Sequence, residues 1–309
     1  MTTSRKPDFR FIDLFAGVGG MRLAFERANG SCVFSSEWDK FSQKTYEANF
    51  GETPAGDITK IHERDIPKFD VLVAGFPCQP FSTIGKRQGF DHPTQGTLFH
   101  EVVRIMRHHK NNAFLLENVP GLENHDNGNT LEIIESTLTS LNYKYDYRVL
   151  DAADFGVPQH RSRIYIVGFK SRRGGRTQLE WPQVKKNHRA IGPFIESGVR
   201  DHSITKHLQK VYLFKKDDGR PQIVNKSSDF PVKTLVASYH KIQRLTGTFV
   251  HDEETGLRLL SENECKAIMG FNKNFKMPVS RTQMYRQFGN SVAVPVVTVL
   301  AKWMANEIL

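Results

Sequence analysis

The sequence predicts an α/β protein, a mostly parallel sheet with helices on both faces, joined to a smaller domain of mainly irregular and β structure. Three observations carry that prediction. Up to about residue 170, short apolar, β-branched runs alternate with segments of helical periodicity. A glycine-rich turn, AGVGG at 16–20, directly follows the first such run. From Ser171 the texture shifts to short, weakly patterned segments with turn signals such as Asp217-Asp218-Gly219.

The elements follow in order. Residues 9–15 (FRFIDLF) read as a buried strand, and an amphipathic stretch over 21–29 follows the glycine turn. Residues 32–35, 71–74, 114–116 and 164–169 read as further short buried strands, with helical periodicity over 97–109 and 130–141. Periodicity returns at 260–269, and 291–308 predicts a closing helix that rejoins the first domain. Such alternation covers both sheet faces with helices and places ligand-binding residues just beyond the carboxyl ends of the strands.

Charge divides the chain in the same way. Residues 170–250 hold 17 of the 43 Lys and Arg but only 6 of the 33 Asp and Glu, a net of +11 that leaves the rest at −1. A basic segment on a neutral body suits a polyanion, most simply a phosphate backbone; a solubilising surface is the bland alternative. The three cysteines, at 32, 78 and 265, are too few and too irregularly spaced for a disulfide framework or a zinc site, and suit a reducing compartment. No secretory signal is expected, and the apolar stretch 292–301 is too short to span a bilayer and contains Pro295.

Three stations stand out along the first domain. The glycine turn lets the backbone approach a ligand and exposes helix N–H groups, although its spacing is not that of a dinucleotide fingerprint. Asp13, inside the strand pattern, needs buried partners and is expected to orient that turn. After the next strand, Glu37 is placed to accept ribose hydroxyls and Trp38 to stack on adenine, with Asp57 and Ile58 adding an acceptor for the adenine amino group. Each taken singly is as readily a surface carboxylate or a core aromatic; in order after one glycine turn they favour an adenosine ligand. Cys78 follows a third strand between Pro77 and Pro80, which fix the backbone and hold the thiol at the sheet edge.

FIDLFAGVGG, GFPCQPFS, ENV at 117–119, QHRSR at 159–163 and YRQFGNSV at 285–292 occur in the order of the signature blocks of the C5-cytosine DNA methyltransferases. The chain resembles that family in its small bacterial restriction–modification form. The resemblance implies a Rossmann-like class I methyltransferase domain over 1–180, completed by 285–309, with a target-recognition domain and hinge over 181–284. It also implies S-adenosyl-L-methionine as methyl donor, no metal, and methylation of carbon 5 of a cytosine flipped from double-stranded DNA. A monomer acting in the cytoplasm, associated with the nucleoid and with a partner endonuclease, fits that class.

The same resemblance supplies roles. Cys78 attacks carbon 6 of cytosine, turning the ring into an enamine. Glu117 holds N3 and the exocyclic amine, Asn118 the local geometry, Arg163 the cytosine O2, and Arg161 the DNA backbone or active-site loop. Phe15, Gly17, Gly19, Gly20, Pro77, Leu98, Asn290 and Ser291 join Glu37, Trp38, Asp57 and Ile58 around the cofactor. A polar, glycine-containing stretch, 82–95, is a candidate closing loop, with Lys86 and Arg87 for phosphates and Ile84 as a wedge into the vacated stack. In the recognition segment, Thr234 is expected near the DNA backbone, and Lys226, Lys241, Gln243 and Arg244 are candidate base readers. A tRNA cytosine methyltransferase shares the catalytic blocks, but the Cys-Phe-Thr motif usual in those relatives is absent here. A nicotinamide oxidoreductase leaves Cys78, Glu117 and the basic segment unexplained, and a DNA-binding protein with a dead methyltransferase fold leaves intact Cys78, Glu117 and Arg163 unexplained.

Overall fold

The computed structural model describes residues 7–77 and 98–308. Strand β1 (Phe9–Leu14) leads into α1 (Gly20–Glu26), followed by β2 (Gly30–Ser36), α2 (Lys40–Phe50), β3 (Val71–Gly75), α3 (Leu98–His109), β4 (Ala113–Asn118) and α4 (Asn129–Ser140). β5 (Tyr143–Asp151), β6 (Ser162–Lys170) and the short β7 (Gly175–Arg176) complete one sheet, in the order β2-β1-β3-β4-β6-β5-β7. The β2, β1, β3 and β4 half is parallel, as expected, but β6 runs antiparallel to both β4 and β5.

Alternation along each strand splits the core in two. Phe11, Val71, Val73, Leu115 and Val167 face one way with α1 and α8 (Val294–Ile308). Leu14, Leu72, Ala74, Leu116 and Ile166 face the other way with α3 and α4. Both faces are dry, which is why these strands read as continuous apolar runs. Burying them drives the fold at roughly 25 cal/mol per Å² of apolar surface.

Beyond β7 the chain forms one helical turn, α5 (Lys206–Leu208), and a second sheet of β8 (Gln222–Val224), β9 (Thr248–Asp252) and β10 (Gly256–Arg258). Helices α6 (Glu262–Met269) and α7 (Arg281–Asn290) then lead into α8. Val224, Phe249 and Leu257 share one continuous apolar cluster with α6, α7, α8 and the first face of the large sheet. A buried ion cluster ties the second sheet to α6. Arg258, fully inaccessible, grips Glu264 with both terminal nitrogens (2.9 and 2.8 Å) and Asp252 through Nε at 3.2 Å. Glu264 also closes the capping box of α6 with Ser261. A charge buried this deeply needs such full pairing.

Residues 281–308 are, by length and composition alone, apolar enough to cross a membrane, but Ser291 is extended between α7 and α8, and 61% of the most apolar window is buried in the protein. The stretch behaves as a pair of core helices.

Asp13 is wholly buried in β1, and neither carboxylate oxygen makes a hydrogen bond of good geometry. Burial pushes its pKa from 3.8 up to about 8, opposed first by the Arg22 backbone N–H just past the glycine turn and then by the Arg22 charge. Folding therefore favours the protonated acid, while the unfolded chain ionises near pH 4. The stability linked to this group is fully present below about pH 4 and declines as pH rises towards 8. Asp13→Asn is expected to abolish that decline, gaining on the order of 5 kcal/mol over the wild type at pH 8 and little at pH 4, read from denaturant melts across that range. Parallel melting curves at all pH values would refute it.

Candidate active site

The parallel half of the sheet delivers four strand ends to one edge, and the residues just past them line one cavity of about 410 Å³. β1 supplies Phe15 to Val18, β2 supplies Glu37 and Trp38, β3 supplies Phe76 and Pro77, and β4 supplies Glu117 to Val119. Because β6 is reversed, its beginning lies beside the end of β4, pairing Ile164 with Asn118. That reversal brings Arg161 and Arg163 to the same edge, where a parallel strand would have carried them to the opposite one.

The glycine turn is shaped by backbone demands. Phe15, Gly17 and Gly19 all have positive φ (56°, 55° and 86°), and the Gly17 N–H donates to Glu37 Oε2 at 2.8 Å. Glu37 Oε1 accepts the Asp39 N–H at the same distance, so this carboxylate fastens the turn to the start of α2. Burial raises the Glu37 pKa, opposed by those N–H groups. Trp38 is 77% exposed at the cavity rim, an apolar plate on which no ring stacks among the described residues. It is not the core aromatic that a single indole would suggest.

At the other end, Glu117 is buried with its Oε1 3.0 Å from Arg163 Nε. Burial raises its pKa and the nearby guanidinium of Arg163 opposes. The Asn118 side chain bridges, donating to the Phe76 carbonyl at 3.0 Å and accepting the Val119 N–H at 2.8 Å, which locks β4 to the segment after β3. The far wall is C-terminal. Gly289, Asn290, Ser291 and Val292 line the cavity, and a Cβ on Gly20 would fall 2.9 Å from both Ser291 and Val292, so glycine at 20 is what lets the two walls meet.

A strand-end cavity with a glycine turn, a fastened acidic residue and a buried carboxylate admits several chemistries. The family model for C-5 cytosine-specific DNA methylases matches residues 9–306. The chain belongs to that family. It is 59% identical to the Type II methyltransferase M.MspI of Moraxella sp. over 96% of this chain and 70% of the relative. It is also 39% identical to M.HhaI of Haemophilus parahaemolyticus over 94% of this chain and 93% of the relative. In fold it is similar to a Spodoptera frugiperda DNMT2 mutant, with a TM-score of 0.76 at 23% identity, covering 95% of this chain and 98% of that one.

Of the residues expected around the methylase cofactor, Phe15, Gly17, Gly20, Glu37, Trp38, Pro77, Leu98, Asn290 and Ser291 line this cavity together. Gly19, Asp57 and Ile58 do not. Gly19 packs against the Phe50 and Tyr46 rings, the Asp57 carboxylate caps its own turn through Thr59 N–H at 3.1 Å, and Ile58 lies in the second core. A Gly-Asp-Ile turn looks alike in sequence whether its acid faces a ligand or its own backbone. Cys78, Ile84, Lys86 and Arg87 lie outside the described residues.

Arg161, expected against DNA or the active-site loop, instead has a buried guanidinium engaged by three backbone carbonyls. Arg244 is also corrected: it is buried, with Nε on the Leu213 carbonyl at 2.9 Å and its guanidinium paired with Asp218, so it cannot read a base. Lys226 and Lys241 are exposed, Gln243 is half-buried against Thr246, and the Thr234 hydroxyl donates to the His160 carbonyl at 2.6 Å.

Sequence reasoning found Asn290 but missed the rest of the α7 face: Gln283, Arg286 and Gln287, at helical spacing with Asn290, also line the cavity. Gln287 Oε1 accepts from Thr45 at 2.9 Å, while its buried Nε2 has no partner. The stripe was legible, but starting the helix at Ser291 excluded it.

Proposed function

We propose that this methylase transfers a methyl group from S-adenosyl-L-methionine to carbon 5 of a cytosine extruded from a specific double-stranded DNA sequence, with Cys78 as nucleophile and Glu117 as proton donor to the ring. The observation that carries the reading is the buried Glu117–Arg163 pair set in the wall of the same cavity as the Glu37-fastened glycine turn.

The cavity suits an adenosyl amino acid. Trp38 offers the stacking plate, Glu37 retains free lone pairs for ribose hydroxyls, and the orphaned Gln287 Nε2 is a buried donor without an acceptor. When bound, S-adenosyl-L-methionine supplies an electrophilic methyl on a sulfonium sulfur. The chain's own residues prepare its acceptor. Pro77, the residue before Cys78, lines the cavity, so the nucleophile is covalently adjacent to its wall. The Cys78 thiolate adds to C6 as the Glu117 carboxyl gives its proton to N3, and the electron pair reaches C5. After methylation, loss of the C5 proton to a base expels the thiolate, and N3 returns its proton to Glu117, which restores the ring and the acid. Arg163, 3.0 Å from Glu117, holds that carboxyl in place and is near enough to meet the cytosine O2.

Residues 181–284, with exposed Lys226 and Lys241 among their excess of positive charge, are the proposed reader of DNA sequence. A monomer in the bacterial cytoplasm, paired with an endonuclease of the same specificity, completes the reading. Incubating the protein with methyl-tritiated S-adenosyl-L-methionine and either duplex DNA or tRNA tests it. Label is expected in DNA, and bisulfite sequencing of the product then gives the target; label in tRNA alone would sink the assignment.

A further inference from the structure

The proposed DNA reader and the cofactor wall meet at one guanidinium. Arg161 Nη1 donates to the Leu235 carbonyl at 3.1 Å, and Nη2 donates to Gly289 at 3.0 Å and Ser291 at 2.6 Å. Those partners lie 74, 128 and 130 residues away in the chain. Two of them, Gly289 and Ser291, line the cofactor cavity, and the third sits in the recognition segment. The contact is tight on both sides. A Cβ on Gly289 would fall 2.2 Å from the Ala237 nitrogen and 2.4 Å from the Val236 carbonyl carbon, so the two backbones touch. The 158–161 segment holds the rest of the seam: Val232 N–H donates to Pro158, His160 N–H to Val232, and Leu235 N–H to the Gln159 side chain.

A purely structural joint does not need a cation here. The guanidinium is buried, no carboxylate among the described residues hydrogen-bonds to it, and its Nε–H has no acceptor there. Its planar fork fixes the spacing of its two terminal nitrogens, so displacing the Leu235 carbonyl must shift or release the hold on Gly289 and Ser291. We propose that Arg161 is a positioning residue that couples DNA engagement by the recognition segment to affinity for the cofactor. This rests on the function proposed above.

The coupling is reciprocal by thermodynamic necessity: whatever factor DNA adds to cofactor affinity, cofactor adds to DNA affinity. The test measures the Kd of S-adenosylhomocysteine by calorimetry, without DNA and with a saturating duplex carrying the sequence that the wild-type enzyme methylates. In the wild type, DNA is expected to tighten binding about tenfold, within the usual range of such couplings. In Arg161→Lys and Arg161→Met the ratio is expected to fall towards one, with the reciprocal effect on DNA affinity falling by the same factor. Thr298→Val removes a hydrogen bond within α8, from the Thr298 hydroxyl to the Val294 carbonyl, without touching the fork, and should keep the wild-type ratio.

A structural role alone would lower melting temperature and weaken binding with and without DNA equally, leaving the ratio intact. An intact ratio in Arg161→Lys, a wild-type ratio of one, or an equal loss in Thr298→Val overturns the proposal. Should Arg161→Met not fold, the lysine variant decides. A wild-type enzyme that methylates DNA yet shows no coupling sinks this inference alone; one that never methylates DNA sinks the function beneath it.

Discussion

Cys78→Ala is expected to reduce methyl transfer to background, a loss of at least about 10⁴-fold, while the variant still binds duplex DNA. Carbon 5 of cytosine is too poor a nucleophile to take a methyl until electron density is pushed into it from C6, and among the signature residues only the thiol can form that bond. Serine at 78 should not rescue, since its hydroxyl is far less ionised than a thiol and no neighbouring base is assigned to it. The covalent step can be seen directly. With S-adenosyl-L-methionine present, a duplex with 5-fluorocytosine at the target has no C5 proton to lose once methylated, so the adduct cannot collapse, and the wild-type protein should migrate with the DNA under denaturing conditions. Turnover retained by Cys78→Ala, or a shifted band from it, would end the nucleophile assignment.

Glu117→Gln is expected to cost about 10²- to 10⁴-fold in kcat, with much smaller change in DNA affinity. The amide keeps the shape and can hydrogen-bond the ring, but has no proton to transfer as C6 is attacked. Burial favours the protonated carboxyl of Glu117, and Arg163 works against it. The sign of the pH dependence follows. The acid form is needed, so wild-type activity should fall on the alkaline side as Glu117 ionises. In Glu117→Gln the alkaline limb attributable to this carboxyl should vanish; a variant with wild-type kcat and an unchanged profile would remove Glu117 from proton transfer.

Much of this was legible before any coordinates. The apolar strands β1, β3 and β4 could be read because both sheet faces are covered, and the glycine turn, Glu37 and Glu117 fall just past strand ends where ligands gather. What escaped had physical reasons. β5 carries Lys144, Asp146 and Arg148 between tyrosines, so its pattern lacks the unbroken apolar signature of its neighbours. α2 and α7 are polar helices whose role is to carry side chains to the cavity and to each other, as in the Thr45–Gln287 contact, and apolar periodicity does not reveal that work. Strand direction is a long-range property, so the reversal of β6 was invisible. Arg161 and Arg244 show the limit for charge: an arginine in a basic stretch looks the same whether it meets phosphate or clasps buried carbonyls and a carboxylate.

One wall of the cavity comes from residues 15–21 and the facing wall from 286–292. During synthesis, then, a polypeptide that has made the glycine turn still lacks the facing wall until residues 286–292 have left the ribosome. Truncation before 286 would leave the cavity open on that side, and any mass-action stabilisation that a molecule bound there lends the fold would be lost with it.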